Sequence, residues 1–201
     1  MHVWKLKQTK GFTLIELMVA IAIGMVVLAA VTTTFMSQTK FYSAQEQVNE
    51  MEQNARGALD LITRELKMAG YKPNGGTVTG ITYDTTQLMI EADVDGSGVI
   101  DNTIDSSIER IIYALDIANN QITRKMGSGG TVRVLAENIT AFDFTYLKAD
   151  GVTNATASSE IRQVKLEITA KTAKPDPNYT ANYGYREYQV KATITPPNLA
   201  L

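Results

Sequence analysis

The run from Phe12 to Met36 constrains this chain more than any other feature, because in all of it there is one ionisable side chain, Glu16. As a helix the run reaches about 37 Å, enough to cross the hydrocarbon core of a bilayer. A carboxylate at the centre of such a span costs about 2.5–3.5 kcal/mol on insertion scales, so an acid there marks a functional site by default. Glu16 lies near the start of the run, and spacing admits two readings: an intramembrane acid with a task, or an interfacial one that snorkels to the headgroups. Met1 to Gly11 is short, basic and free of acids, which predicts a cytoplasmic leader and export of the remainder. A secretory signal peptide is the alternative, with Ala29-Ala30-Val31 as a small-residue cleavage site, although its apolar core would be shorter than this one.

Lys10-Gly11-Phe12-Thr13-Leu14-Ile15-Glu16 resembles the processing site of type IV prepilins and type II secretion pseudopilins. The resemblance implies cleavage between Gly11 and Phe12 by a prepilin peptidase, N-methylation of Phe12, and an assembly role for Glu16. Further on, Gln45 to Tyr71 resembles the PilW-like minor pilins. The helix-bending proline that many major pilins carry in the anchor is absent; Gly24 and Thr32-Thr33-Thr34 lower helix propensity there, within what membrane helices tolerate.

With 201 residues, 44% of them hydrophobic and 20% charged, the chain can hold one anchor and one ordinary globular domain. The formal charge of −2 becomes −5 once Lys5, Lys7 and Lys10 leave with the leader, which does not favour broad electrostatic binding of nucleic acid. There is no cysteine, and His2 and Trp4 both lie in the leader. A processed product therefore excludes Ser-His-Asp and Cys-His catalysis and the commonest zinc sites. Carboxylate-pair and Ser-Lys chemistries survive this test, but no spacing points to one.

Phe41, Ala44, Val48, Met51, Ala55, Leu59, Ile62, Leu66 and Ala69 recur at steps of three and four, an apolar stripe on a helix that continues past the anchor. Coiled-coil pairing would give the same stripe; cover for the strands that follow is the reading adopted. Gly70 suits a C′ cap and Pro73 blocks continuation, so the helix is expected from Phe12 to Ala69, about 87 Å.

Beyond Pro73 the period changes to two. Leu88, Ile90 and Ala92 alternate with Met89 and Glu91; Ile111, Tyr113, Leu115 and Ile117 form the next run; Asn119-Asn120 turns the chain into Gln121–Lys125. Gly127-Ser128-Gly129-Gly130 reads as a turn before Val132–Leu135, because no helical pattern follows to make it a phosphate loop. Phe142, Phe144 and Tyr146 share a face, Val164 to Ala170 and Val190 to Ile194 alternate cleanly, and Pro196-Pro197 ends the last strand. The expected class is α+β: a long N-terminal helix packed against an antiparallel sheet, or two small ones. Residues 1–11 form the leader, 12–36 the anchor, 37–70 the amphipathic continuation and 71–201 a β-rich periplasmic or extracellular head.

Asp93-Val94-Asp95-Gly96-Ser97-Gly98-Val99-Ile100-Asp101 resembles an EF-hand-type calcium loop, with oxygen side chains at steps of two and glycine at the sixth position. The resemblance implies side-chain oxygens from Asp93, Asp95 and Ser97, the carbonyl of Val99, and Asp101 directly or through water. The pattern departs at the twelfth position, where Ile104 replaces the bidentate Glu; Asp105 and Glu109 are candidate substitutes. An acidic loop without metal is the plain alternative. Tyr179, Tyr183, Tyr185 and Tyr188, beside Lys174, Arg186 and Lys191, read as a tyrosine-rich strand and its preceding loop, with base stacking or a protein interface as the other uses.

These features lead to the expectation of a non-enzymatic minor type IV pilin, held in the bacterial inner membrane before assembly and in the filament or at its tip afterwards. The resemblance implies other major and minor pilins, the prepilin peptidase and a pilus-tip adhesin as partners. Calcium is the one candidate cofactor. A minor pseudopilin of a type II secretion system is the nearest alternative, and an exported membrane-anchored binding protein or hydrolase represents a different class.

Overall fold

The computed structural model describes residues 11–101 and 109–199. Among the described residues one α-helix, α1, runs Leu14–Met68 and is followed by eight strands: β1 Ile81–Thr82, β2 Gln87–Glu91, β3 Arg110–Asp116, β4 Gln121–Met126, β5 Arg133–Glu137, β6 Ile139–Leu147, β7 Gln163–Lys171 and β8 Glu187–Ile194. Residues up to Gln45 and residues from Glu46 onward form separate units.

In the first unit every described residue of the anchor, Phe12 to Met36, is exposed. No protein core among the described residues accounts for an apolar surface of this kind; by length and composition the helix could cross a membrane. Thr32, Thr33 and Thr34 each return the side-chain hydroxyl to the carbonyl four residues earlier, so these polar groups are satisfied within the helix itself.

In the second unit α1 supplies one wall of the core through Met51, Ala55, Ala58, Ile62 and Leu66. The stripe read from sequence is thus real, but it starts later: Val48 is partly buried against the core and Phe41 is 61% exposed. The helix ends at Met68, one residue before expectation, and Gly70 takes φ +76°, as the C′ position asks. The Gly70 N–H does not turn back to the helix; it donates to the Glu91 carbonyl at 2.8 Å, which ties the helix end to β2.

The strands form two antiparallel meanders, a five-stranded sheet ordered β1-β2-β3-β4-β5 and a three-stranded sheet ordered β6-β7-β8. One core cluster joins both to the helix: Leu88, Ile90, Tyr113 and Ile122 from the first sheet, Phe142, Tyr146, Leu166 and Ile168 from the second. The fold is therefore α+β with the expected helix-on-sheet packing. Every residue of this cluster lies in the second unit.

Three strand expectations need correction. Glu91, expected on the outer face of β2, is buried, and the Arg110 guanidinium accounts for it with Nη2 at 2.5 Å from Oε1. Ile117 is not in β3 but in the turn after it and is 79% exposed, because Asp116 accepts the Asn119 N–H and side-chain amide and reverses the chain there. The fifth strand runs Arg133–Glu137, later than expected, with Val132 and Val134 exposed and Ala136 inside; a register shift between Ile122 and Thr123 accompanies that pairing.

Candidate functional site

At the start of α1, Thr13 and Glu16 form a reciprocal pair. The Thr13 N–H donates to Glu16 Oε2 at 2.9 Å, the Thr13 hydroxyl lies 2.7 Å from the same oxygen, and the Glu16 N–H donates to Thr13 Oγ1 at 3.3 Å. This is a capping box, in which residue and cap satisfy two of the orphan donors of a helix start. Gly11 and Phe12 precede the helix and are exposed; residues 1–10 of the leader lie outside the described residues. Glu16 is exposed and has no cation beside it among the described residues. The geometry thus offers a carboxylate at the helix start, one helical turn from the bond expected to be cut.

The acidic loop occupies the connection after β2. Asp93 is fully buried and organises the loop: Oδ1 accepts the Gly96 N–H at 2.8 Å and Oδ2 the Gly98 N–H at 2.9 Å. Glu109, also fully buried, closes the loop from the far side. Its Oε1 accepts the Val94 and Asp95 N–H groups at 3.1 and 3.3 Å, and its Oε2 accepts that of Asp101 at 2.7 Å. Asp95 is exposed, and the Ser97 N–H bonded to it is the main cause holding its carboxyl below the usual range. Oxygens of Asp93, Asp95 and Glu109 all lie within 4.8 Å of one another. Among the described residues no lysine or arginine pairs with these three acids. The donors are all oxygen, which fits a hard cation such as Ca²⁺ and not a thiolate- or imidazole-seeking metal.

Of the residues expected to serve a metal, Asp93 and Asp95 are thus brought together, with Glu109 from outside the core motif. The Ser97 hydroxyl donates to the Val99 carbonyl at 2.9 Å. Asp101 is half-buried and supplies its N–H to Glu109. Ile104 and Asp105 lie outside the described residues.

A family model described as the prokaryotic N-terminal methylation motif matches residues 6–32. The anchor begins with a methylation motif. No curated protein matches the chain. Among solved structures, a type IV-like pilin from Thermus thermophilus is similar with a TM-score of 0.43 and 13% identity, covering 71% of this chain and 94% of that one.

The methylation motif contains the expected cleavage pair Gly11 and Phe12 as well as Glu16. The capping role of Glu16 was legible in Thr13-x-x-Glu16, since Ser/Thr followed three residues later by Glu is itself a helix-start pattern. The tyrosines do not form one platform. Tyr179 lies under the Arg186 guanidinium, Tyr185 under the Lys171 ammonium and Tyr188 under the Arg56 guanidinium, while Tyr183 stands 95% exposed.

Proposed function

We propose that the chain is a minor type IV pilin, a structural subunit for pilus initiation or assembly. The observation that carries this reading is the methylation motif at residues 6–32, which takes in the start of an apolar helix with no covered residue in its anchor. Motif and helix support a membrane-anchored pilin subunit; the resemblance of Gln45–Tyr71 to PilW-like proteins supports the minor-pilin assignment. In this reading a prepilin peptidase cuts between Gly11 and Phe12 and methylates Phe12. The anchor waits in the inner membrane and then exchanges lipid for the helices of other pilins. Glu16 accepts the N-terminal amine of a neighbouring Phe12, and because an unpaired buried charge is strongly unfavourable, the pair checks register between subunits.

Mass spectrometry of the mature N-terminus tests the reading. N-methyl-Phe12 is the expected result; an uncut leader, or a cut after Ala30, refutes it. Deletion then separates filaments: loss of surface pili and twitching fits a pilin, whereas loss of enzyme secretion fits a pseudopilin. An isolated head with hydrolytic activity would favour the anchored-enzyme class.

The convergence of Asp93, Asp95 and Glu109 supports a second reading, that the head holds one Ca²⁺. Asp93, Asp95 and Glu109 would hold the ion, Glu109 standing in for the missing twelfth-position ligand. The bound ion would offset the mutual repulsion of three clustered carboxylates and so stiffen the loop.

A further inference from the structure

A cavity of about 550 Å³ opens between three stretches of the head that are distant in sequence, residues 70–79, 158–162 and 198–199. Its polar lining comes from Lys72, Thr79, Ser158, Ser159, Arg162 and Asn198, and none of the described residues that line it is acidic. That volume falls within the range of about 300–1,000 Å³ usual for small-ligand sites.

The walls are built to hold their places. Leu199 packs so closely over the chain at Gly70 and Gly80 that a Cβ on either glycine would come within 2.7 and 2.5 Å of its Cδ2. Ser158 is fixed by the Tyr83 N–H, which donates to its Oγ at 2.8 Å and leaves the hydroxyl hydrogen for another acceptor. Arg162 donates Nη1 to the carbonyls of Ser159 and Ile161 at 2.9 and 2.8 Å, which braces the guanidinium. Its remaining N–H groups, and the whole ammonium of Lys72, have no acceptor among the described residues.

A braced guanidinium and an ammonium call for an anion, and a carboxylate suits the planar fork of arginine. Hydroxyls and an amide around the same space call for a ligand that carries hydroxyls of its own. We propose that this cavity binds an acidic saccharide, a uronate-type sugar whose carboxylate lies against Arg162 and Lys72 and whose hydroxyls bond Thr79, Ser159 and Asn198. The site is independent of the anchor, so its failure leaves the pilin reading untouched.

The test is titration of the full chain in detergent micelles with trigalacturonate, maltotriose and a hexaglutamate peptide, followed by calorimetry and amide NMR. Trigalacturonate should bind and shift the amides of Thr79, Ser159 and Asn198, and R162Q and K72Q should each weaken it by about tenfold. Circular dichroism establishes that the variants fold, and the shift map of the unmutated chain serves if one does not. Absence of trigalacturonate binding, shifts elsewhere, unchanged affinity in both variants, or equal binding of neutral maltotriose overturns the proposal. Tighter binding of the hexaglutamate peptide also overturns it, assigning the cavity to acidic protein.

Discussion

Glu16 and Thr13 satisfy each other across the first turn of α1, carboxylate to N–H at 2.9 Å and N–H to hydroxyl at 3.3 Å. The carboxylate proposed to meet a neighbouring subunit thus already has a partner within its own chain. Capping and charge can be separated. Glu16→Ala removes both and should loosen the helix start; Glu16→Gln preserves a capping box and removes only the charge. Both variants should still lose the leader, and both should be depleted from sheared filaments on immunoblots. Full incorporation of Glu16→Gln would reduce the role of Glu16 to capping.

Calcium should raise the melting temperature of the full chain in detergent, and Asp95→Ala or Glu109→Gln should remove that response. Glu109 also closes the loop through three backbone N–H groups, so its variant should melt lower without calcium as well. No calcium response in the unmutated protein would leave the plain acidic loop.

Inside the head, the fully buried Tyr113 donates its hydroxyl to Glu65, whose Oε1 lies 2.6 Å from Arg124 Nη2. Burial, then the Glu65 carboxylate, pushes the Tyr113 pKa well above the ordinary tyrosine value. Its phenolate absorbance should therefore be missing at pH 11 in the folded protein and appear on unfolding. Glu65→Ala leaves a guanidinium and a hydroxyl without their acceptor and should cost about 2–3 kcal/mol in urea unfolding.

Packing predicts a contrast along α1. Ile62→Ala, at a fully buried position, should destabilise the head by about 2–4 kcal/mol, whereas Phe41→Ala should leave its unfolding midpoint unchanged. Equal effects would mean that the sequence stripe, and not the observed burial, describes the core.

The turn after β6 has an acid signature of its own. The Thr153 hydroxyl at 2.5 Å, with the N–H groups of Val152 and Thr153, brings the Asp150 pKa down to about 2. A carboxyl lowered on folding stabilises above its unfolded value and loses that contribution as pH falls through its folded one, here between about pH 4 and pH 2. An NMR titration should place the Asp150 midpoint near the lower limit, and Thr153→Val should raise it.

Periodicity made much of this fold legible. The step of three and four through Ile62 and Leu66, and the step of two through Val164, Leu166 and Ile168, follow from local geometry, so these residues could be placed inside before any partner was known. Phe41 extends the same helical period but is exposed, whereas Ala58, three residues after Ala55 and four before Ile62, is buried on that period. Glu91 obeys the strand period by type yet is buried because Arg110 pairs with it across β2 and β3.

By itself the sequence determined the anchor, the methylation motif, the helix cap and the alternating strands, because each depends on neighbours a few residues apart. Only the tertiary structure decided that Glu109 joins Asp93 and Asp95. The β2–β3 register sets Glu91 opposite Arg110, and the Ala92 N–H donates to the Glu109 carbonyl at 2.9 Å, which carries that side chain to the loop. Likewise, Lys72 and Arg162 meet around one cavity only after the helix end, a short turn and the last residues of the head have packed together. Such meetings depend on long-range pairing, which no local spacing encodes.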